Sequence, residues 1–164
     1  LDPGGQTNNI IDSLLPLAVS VKDIHPDPQN ARVHNDRNLA TIKKSLETYQ
    51  QVKPVVANRR TGTILAGNGV YLVAKSLGWS EVAVVWVDFD DDYAKGYSLC
   101  DNKAGDLSEW DNPLLRDALE ALDTGAFDLE ATGFQRHEIE MLMTQVHEDG
   151  ETPKNKCPSC GYEW

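Results

Sequence analysis

The sequence predicts an α+β fold that continues into a helical C-terminal extension. Three observations carry that prediction. Short runs rich in β-branched residues alternate with helically spaced apolar residues over the first 90 positions. Residues 81–89, EVAVVWVDF, are dense enough in Val for a buried strand. From residue 91 onward only helical spacing recurs. The expected organisation is an N-terminal leader over 1–16, an α+β core over 17–90, a helical extension over 91–148, and a linker with a Cys-pair tail over 149–164.

In chain order, residues 17–24 (LAVSVKDI) alternate as a strand would. Residues 25–34 (HPDPQNARVH) hold two prolines and predict a loop. A helix is expected next: Asn35 or Asp36 supplies its N-cap, and Leu39, Ile42, Leu46 and Tyr49 recur on one face. Residues 54–66 predict a hairpin, with strands at 54–58 and 63–66 and a turn near 60–62. A short helix from residue 70 should stop at Gly78. The strand at 81–89 is expected to be dry on both faces. Residues 91–103 predict a helix with Tyr93, Tyr97 and Cys100 (or Leu99) on one face. Asp111 as N-cap, Pro113 in the first turn and Gly125 at the end bound the next helix. A last helix carries Phe134, Ile139, Leu142 and Val146, and residues 149–156 (DGETPKNK) read as linker.

Composition narrows the function. Hydrophobic content of 40% and charged content of 25% are ordinary for a soluble globular protein. No apolar run reaches the roughly 18 residues a membrane span needs. The start lacks a basic segment and a clean apolar core, so no secretory signal is expected; it also lacks Met, which fits a processed start. Three Cys, two of them a CxxC, point to a reducing, cytoplasmic setting and to metal or redox use rather than disulfides. Net charge is −11, yet residues 1–80 carry nine Lys/Arg against six Asp/Glu. The acidic excess lies in the back half, so weak or no binding to plain duplex DNA is expected, while a small anion fits the front half.

Gly67-Asn68-Gly69 stands where a strand gives way to a helix. A helix N-terminus presents unpaired N–H groups and a partial positive charge, and glycines let a phosphate approach them closely. A merely tight turn accounts for the same residues, so spacing alone leaves both readings open.

A resemblance adds to this. The loop NARVH, the stretch VKPVVANRRTGTILAGNGVYLVAKSLGWSEVAVVWVD and the segment SLCDNKAGDLSEWD together resemble the ParB/sulfiredoxin-like domain family over about residues 17–145. DNKxxxLxxWD followed by LxxTGF resembles its phage and mobile-element branch, whose members often accompany DNA adenine methyltransferases; a DNA-modifying enzyme partner is implied. The family implies a nucleotide-phosphate pocket: CTP in ParB partition proteins, ATP beside a catalytic Cys in sulfiredoxins, ADP or ATP in related small kinases. Asn30, Arg32 and His34 match the loop that faces the nucleotide there. The family's Gly-x-x-Arg reads Gly67-Asn68-Gly69-Val70 here, which removes a phosphate-binding cation and leaves no sulfiredoxin Cys. Binding then rests on the backbone of Gly67, Asn68 and Gly69 with Lys53 or Arg32. Expected is a nucleoside di- or triphosphate, with Mg²⁺ as companion, in phage or mobile-element DNA metabolism. The alternatives are a non-catalytic interaction module that lost the phosphate Arg, a small-metabolite kinase using an acid such as Asp88, and the nuclease often associated with the family, for which no carboxylate set calls. Any catalysis would be nucleotide hydrolysis or phosphotransfer. No basic helix-turn-helix segment supports a DNA clamp.

The remaining polar groups carry two readings each. Asn30 also suits an Asx-turn. Asp101-Asn102-Lys103 reads first as a helix stop, and second as an anion contact. The acidic run Asp88, Asp90, Asp91 and Asp92 reads first as a solvated cap for the next helix, and second as a Mg²⁺ site. Cys100 reads as a small buried hydrophobe. Cys157-Pro-Ser-Cys160-Gly-Tyr resembles a zinc-ribbon knuckle, but Zn²⁺ wants four ligands. Two chains each lending Cys157 and Cys160, a partner lending the rest, or Cys100 and His147 added locally would complete the site, and an incidental Cys pair in the tail is the plain alternative; the first of these predicts a homodimer joined at the C-termini.

Overall fold

The computed structural model describes residues 9–148. Two compact units divide the chain, residues 1–109 and residues 110–164. Cys157 and Cys160 lie outside the described residues, so the zinc knuckle and the dimer it implies do too.

The first unit is the expected mixed α+β sheet with helices. Its elements are β1 (Ala18–Ser20), β2 (His25–Pro26), α1 (Asp36–Tyr49), β3 (Val55–Asn58), β4 (Thr63–Ala66), α2 (Asn68–Ser76), β5 (Glu81–Val87) and α3 (Asp91–Asp106). The five strands lie in the order β1-β5-β3-β4-β2. β3 pairs antiparallel with β4 and parallel with β5, while β1 closes one edge antiparallel to β5. Ile24, Leu46, Val55, Ile64, Tyr71 and Val84 belong to one buried cluster that joins strands to α1 and α2. The Tyr71 hydroxyl donates to Val21 O (3.2 Å), fixing α2 to the segment after β1.

Capping follows the sequence. Asn35 Oδ1 accepts from the Asn38 amide at 2.8 Å to start α1, and Asp90 Oδ1 accepts from Tyr93 at 2.9 Å to start α3. The hairpin turn is closed by Gly62, whose φ of +76° favours glycine and whose N–H meets Asn58 O at 2.8 Å.

Several expectations change. The strand foreseen over 17–24 is only three residues long, because the chain turns after Ser20 (Asp23 N–H to Ser20 O, 3.0 Å). A 3-10 turn, Asp12–Leu17, occupies the end of the foreseen leader. Inside the foreseen loop, His25–Pro26 pairs parallel with β4; proline is admissible there because β2 is an edge strand. α2 begins at Asn68, two residues early, as Gly67 takes the left-handed conformation (φ 91°) and acts as N-cap. β5 is buried at Val82, Ala83 and Val84 but Val85 is 38% exposed. β1 reaches only as far as Ala83, so the second half of β5 lacks that neighbour. α3 runs to Asp106, which puts Asp101–Lys103 inside the helix rather than at its stop. Its inward residues are Ala94 and Ser98, so Cys100 is exposed rather than buried, and Tyr93 and Leu99 are exposed as well.

One buried polar group organises the sheet. Gln51, 1% exposed, follows α1 and precedes β3. Its side-chain carbonyl accepts from Ala83 N–H (2.7 Å), and its NH₂ donates to Ala83 O (3.0 Å) and Lys53 O (3.1 Å). The side-chain amide thus adds one rung to the β5 ladder just before β3 begins.

The second unit holds α4 (Asn112–Leu122) and α5 (Arg136–Glu148). Asp111 caps α4 by accepting from Leu114 at 3.1 Å, and Pro113 sits in the first turn, as foreseen. Gly133 (φ 90°) ends a 3-10 turn at Leu129–Thr132. Phe134 therefore precedes α5 instead of lying on it, and packs edge-on against Trp110 with ring centroids 5.5 Å apart.

Candidate functional site

The N-terminus of α2 opens on a hollow of about 140 Å³ in the first unit. Five sources meet there: the loop after β2 brings Asn30, Arg32 and His34, α1 brings Asn38 and Ile42, β4 ends in Leu65 and Ala66, the turn into α2 brings Gly67, Asn68 and Gly69, and α3 brings Asp101 and Asn102. Six of the seven binding residues foreseen from sequence thus share one concavity. Lys53 sits exposed between α1 and β3 and does not line it.

The turn is shaped by its neighbours. The first intrahelical bond runs from Tyr71 N–H to Gly67 O at 3.1 Å. The amides of Asn68, Gly69 and Val70 precede it, the position at which helix N–H groups look outside the helix for acceptors. A Cβ on Gly69 would lie 2.6 Å from Ile42 Cδ1 and 3.0 Å from His34 Cε1. Glycine at 69 is what allows α1 and the His34 ring to close against the turn. Asn68 is buried and committed to structure: its Oδ1 accepts from Asp27 N–H (3.2 Å), and its NH₂ reaches Ile64 O at 3.4 Å. It anchors the loop rather than offering its side chain to a ligand.

The loop is held in the same manner. Asn30 Oδ1 accepts from Arg32 N–H at 3.1 Å, the Asx-turn foreseen as one reading of this residue, while Asn30 also lines the hollow. His34 Nδ1 lies 2.7 Å from Asn38 Oδ1, an oxygen that can only accept, so Nδ1 donates to it. Arg32 Nη1 donates to both carboxylate oxygens of Asp106, at 2.7 and 2.8 Å, with both side chains nearly half exposed. Asn102 NH₂ donates to Ser98 O (2.8 Å) one turn back.

Sequence reasoning missed Asn38 and gave second place to the reading that brought Asp101 and Asn102 to an anion site. The signal was present, since DNK had been singled out. Lys103, the member chosen for its charge, does not line the hollow. Tyr97 on the same helix has its phenol pushed above the ordinary value, first by burial and then by the charges of Asp101 and Cys100.

The acidic run after β5 does capping and pairing. Asp90 caps α3, and Asp88 forms an ion pair with Arg60, whose guanidinium is held more firmly protonated by that hydrogen bond. Among the described residues no group of three or more His, Cys, Asp and Glu side chains is set to hold a metal ion, and no helix is long and apolar enough to cross a membrane.

No protein-family model matches the chain, and no curated protein matches it by sequence. Solved structures do match. The C-terminally truncated chromosome-partitioning protein ParB from Caulobacter crescentus, complexed with CTP-gamma-S, superposes with a TM-score of 0.64 at 14% identity, over 79% of this chain and 77% of that one. A Pnob8-like ParB-N domain is 20% identical over 89% of this chain and 54% of that one, with a TM-score of 0.47. The Caulobacter protein complexed to the centromeric parS site gives 0.44 at 14% identity, over 82% and 79%. The first of these shows that the fold is of the ParB type.

Proposed function

We propose that this chain binds a nucleoside di- or triphosphate with its phosphates at the N-terminus of α2, and serves as a nucleotide-binding component of phage or mobile-element DNA metabolism beside a DNA-modifying enzyme. The observation that carries the binding reading is the concavity itself. Leading amides of a nine-residue helix open on a hollow that also receives Asn30, Arg32 and His34, and helix amides with an Arg fork are suited to phosphate oxygens. The size decides what part of the ligand enters. Pockets that enclose a drug-sized ligand run to about 300–1,000 Å³, so about 140 Å³ suits phosphate groups and leaves the nucleoside outside. Mg²⁺ would arrive with the phosphates, and Asp101 is the lining carboxylate open to it, since Mg²⁺ needs only one or two beside phosphate oxygens. Lys53 takes no part in this reading. The mobile-element role rests on the DNKxxxLxxWD and LxxTGF likeness alone.

Melting temperature measured against CTP, ATP, GTP and UTP with Mg²⁺ tests the reading. CTP comes first because the Caulobacter ParB of the same fold was crystallised with its thio analogue. At a hundredfold excess over Kd, binding stabilises by about 2.7 kcal/mol. No shift with any nucleotide at millimolar concentration sinks the proposal and favours a module that interacts with protein partners through an emptied site. Val70 at the usual Arg position and the commitment of Arg32 to Asp106 speak for that second reading.

The Cys157–Cys160 pair is proposed to hold Zn²⁺ between two chains. Elemental analysis beside light scattering should then give half a zinc per chain in a dimer. A zinc-free monomer refutes it.

A further inference from the structure

We infer that Asp106 is a built-in competitor for the proposed phosphate site, holding Arg32 until a ligand displaces it. The inference rests on the nucleotide reading and adds a control to it. Among the residues that line the hollow, Arg32 is the single Lys or Arg. That one cation spends its Nη1 on both oxygens of Asp106, at 2.7 and 2.8 Å. With both oxygens on Nη1, the carboxylate occupies one arm of the guanidinium fork, which a phosphate would need for two parallel bonds. Asp106 lies in the last residues of α3, whose preceding turn brings Asp101 and Asn102 to the hollow. The pair therefore ties the 30–34 loop to the end of α3, across 74 positions of sequence.

The pair is poised rather than locked. Its side chains are 46% and 47% exposed, and exposed ion pairs are worth little, with a median of about 0–1 kcal/mol. Phosphates carrying three or four negative charges compete well against one carboxylate for the same cation. Arg32 would exchange one partner for the other, and the end of α3 would lose its tether to the loop when it does. Two consequences follow for affinity. The ligand must give up the energy of the pair, and it meets the Asp106 charge as a repulsion. Removing the carboxylate lifts both costs.

The test is isothermal titration of wild type, Asp106→Asn and Asp88→Asn with CTP and, as a ligand without nucleoside, inorganic pyrophosphate. Asp88 sits in another exposed Arg–Asp pair of this unit, with Arg60, away from the hollow, and its substitution changes net charge by the same amount. Asp106→Asn should bind both ligands about fivefold tighter, the factor corresponding to about 1 kcal/mol, and Asp88→Asn should match wild type. The gain should vanish in Arg32→Ala, where Asp106 has nothing to hold. Equal or weaker binding by Asp106→Asn at an unchanged melting temperature overturns the competitor role, whatever the wild type binds. Asp106→Ala serves as the second variant should the Asn form fold poorly. Tighter binding by Asp88→Asn as well would make the gain one of bulk charge and overturn it too. Failure of every protein to bind either ligand overturns the nucleotide reading and the competitor with it.

Discussion

Gln51 offers the sharpest test of how the sheet is held. Replacing it with Leu keeps the bulk and the burial but removes a donor pair and an acceptor from a site 1% exposed. Ala83 then has an N–H and a C=O with no partner on the β3 side, and Lys53 loses one bond to its carbonyl. A buried polar group left unsatisfied costs about 1–3 kcal/mol. The two Ala83 groups near the middle of that range, set against the easier burial of Leu, give a loss of about 2–3 kcal/mol. For a folding unit near a hundred residues, each kcal/mol moves the melting temperature by about 4–8 °C, so a drop of about 8–24 °C is expected by circular dichroism, with the urea m-value unchanged. A loss below about 0.5 kcal/mol would refute the view that this side chain serves as a ladder rung. Gln51→Glu sharpens the test through pH. Burial against the Ala83 and Lys53 carbonyls raises the folded-state value of that carboxyl above its unfolded value of about 4.3. The charged form is therefore penalised, and the penalty grows with pH until pH passes the folded value. The penalty relative to wild type should shrink as pH falls from 7 toward about 4, where the protonated acid again presents one donor and one acceptor to Ala83. A gap that stays constant with pH would mean that shape alone matters at this position.

Two further outcomes follow from the hollow and from α3. Gly69→Ala puts a methyl 2.6 Å from Ile42 Cδ1 and 3.0 Å from the His34 ring; it should cost about 1–2 kcal/mol through overpacking and weaken nucleotide binding at least tenfold, and Ile42→Val, which deletes the offending Cδ1, should restore part of the stability in urea titrations. The raised Tyr97 phenol keeps its proton longer in the folded chain than in the unfolded one, so its contribution is whole below about pH 10 and is lost as pH rises through the folded value; Tyr97→Phe should lose less stability than wild type between pH 9.5 and 11, and parallel curves would argue against the shift.

The sequence announced most of the fold where local and tertiary forces agree. α1 carried its cap and its stripe, and the 54–66 hairpin carried its turn glycine, so β3 and β4 fall where the pattern put them. It was misleading where a distant partner decides. His25–Pro26 looks like a loop because nothing nearby reveals that β4 will run alongside. Cys100 looks like core because helical spacing marks a face without saying which face meets the sheet; α3 turns Ala94 and Ser98 inward instead. The site was legible in the same measure. Gly67–Gly69 and the NARVH loop could be paired by motif, but Asp106 has no local mark that would assign it to Arg32, and nothing nearby in sequence shows that the Asn68 side chain is taken up by Asp27.

The strand order has a consequence for how this chain emerges during synthesis. β5, the last strand made, lies between β1 and β3, so Ala18 waits for Ala83 before it finds its rung. At about 5–20 residues per second, β1 stays unpaired for about 3–13 s after it is made. Before then β2, the hairpin and the first two helices can assemble, with a gap one strand wide left beside β3. Val19 and Ile24 lie on either side of the turn after β1, and Ile24 is buried in the finished core, so the front of the chain remains sticky until the Val-rich segment arrives to fill that gap. A chain halted before residue 81 lacks the strand that joins β1 to the rest of the sheet.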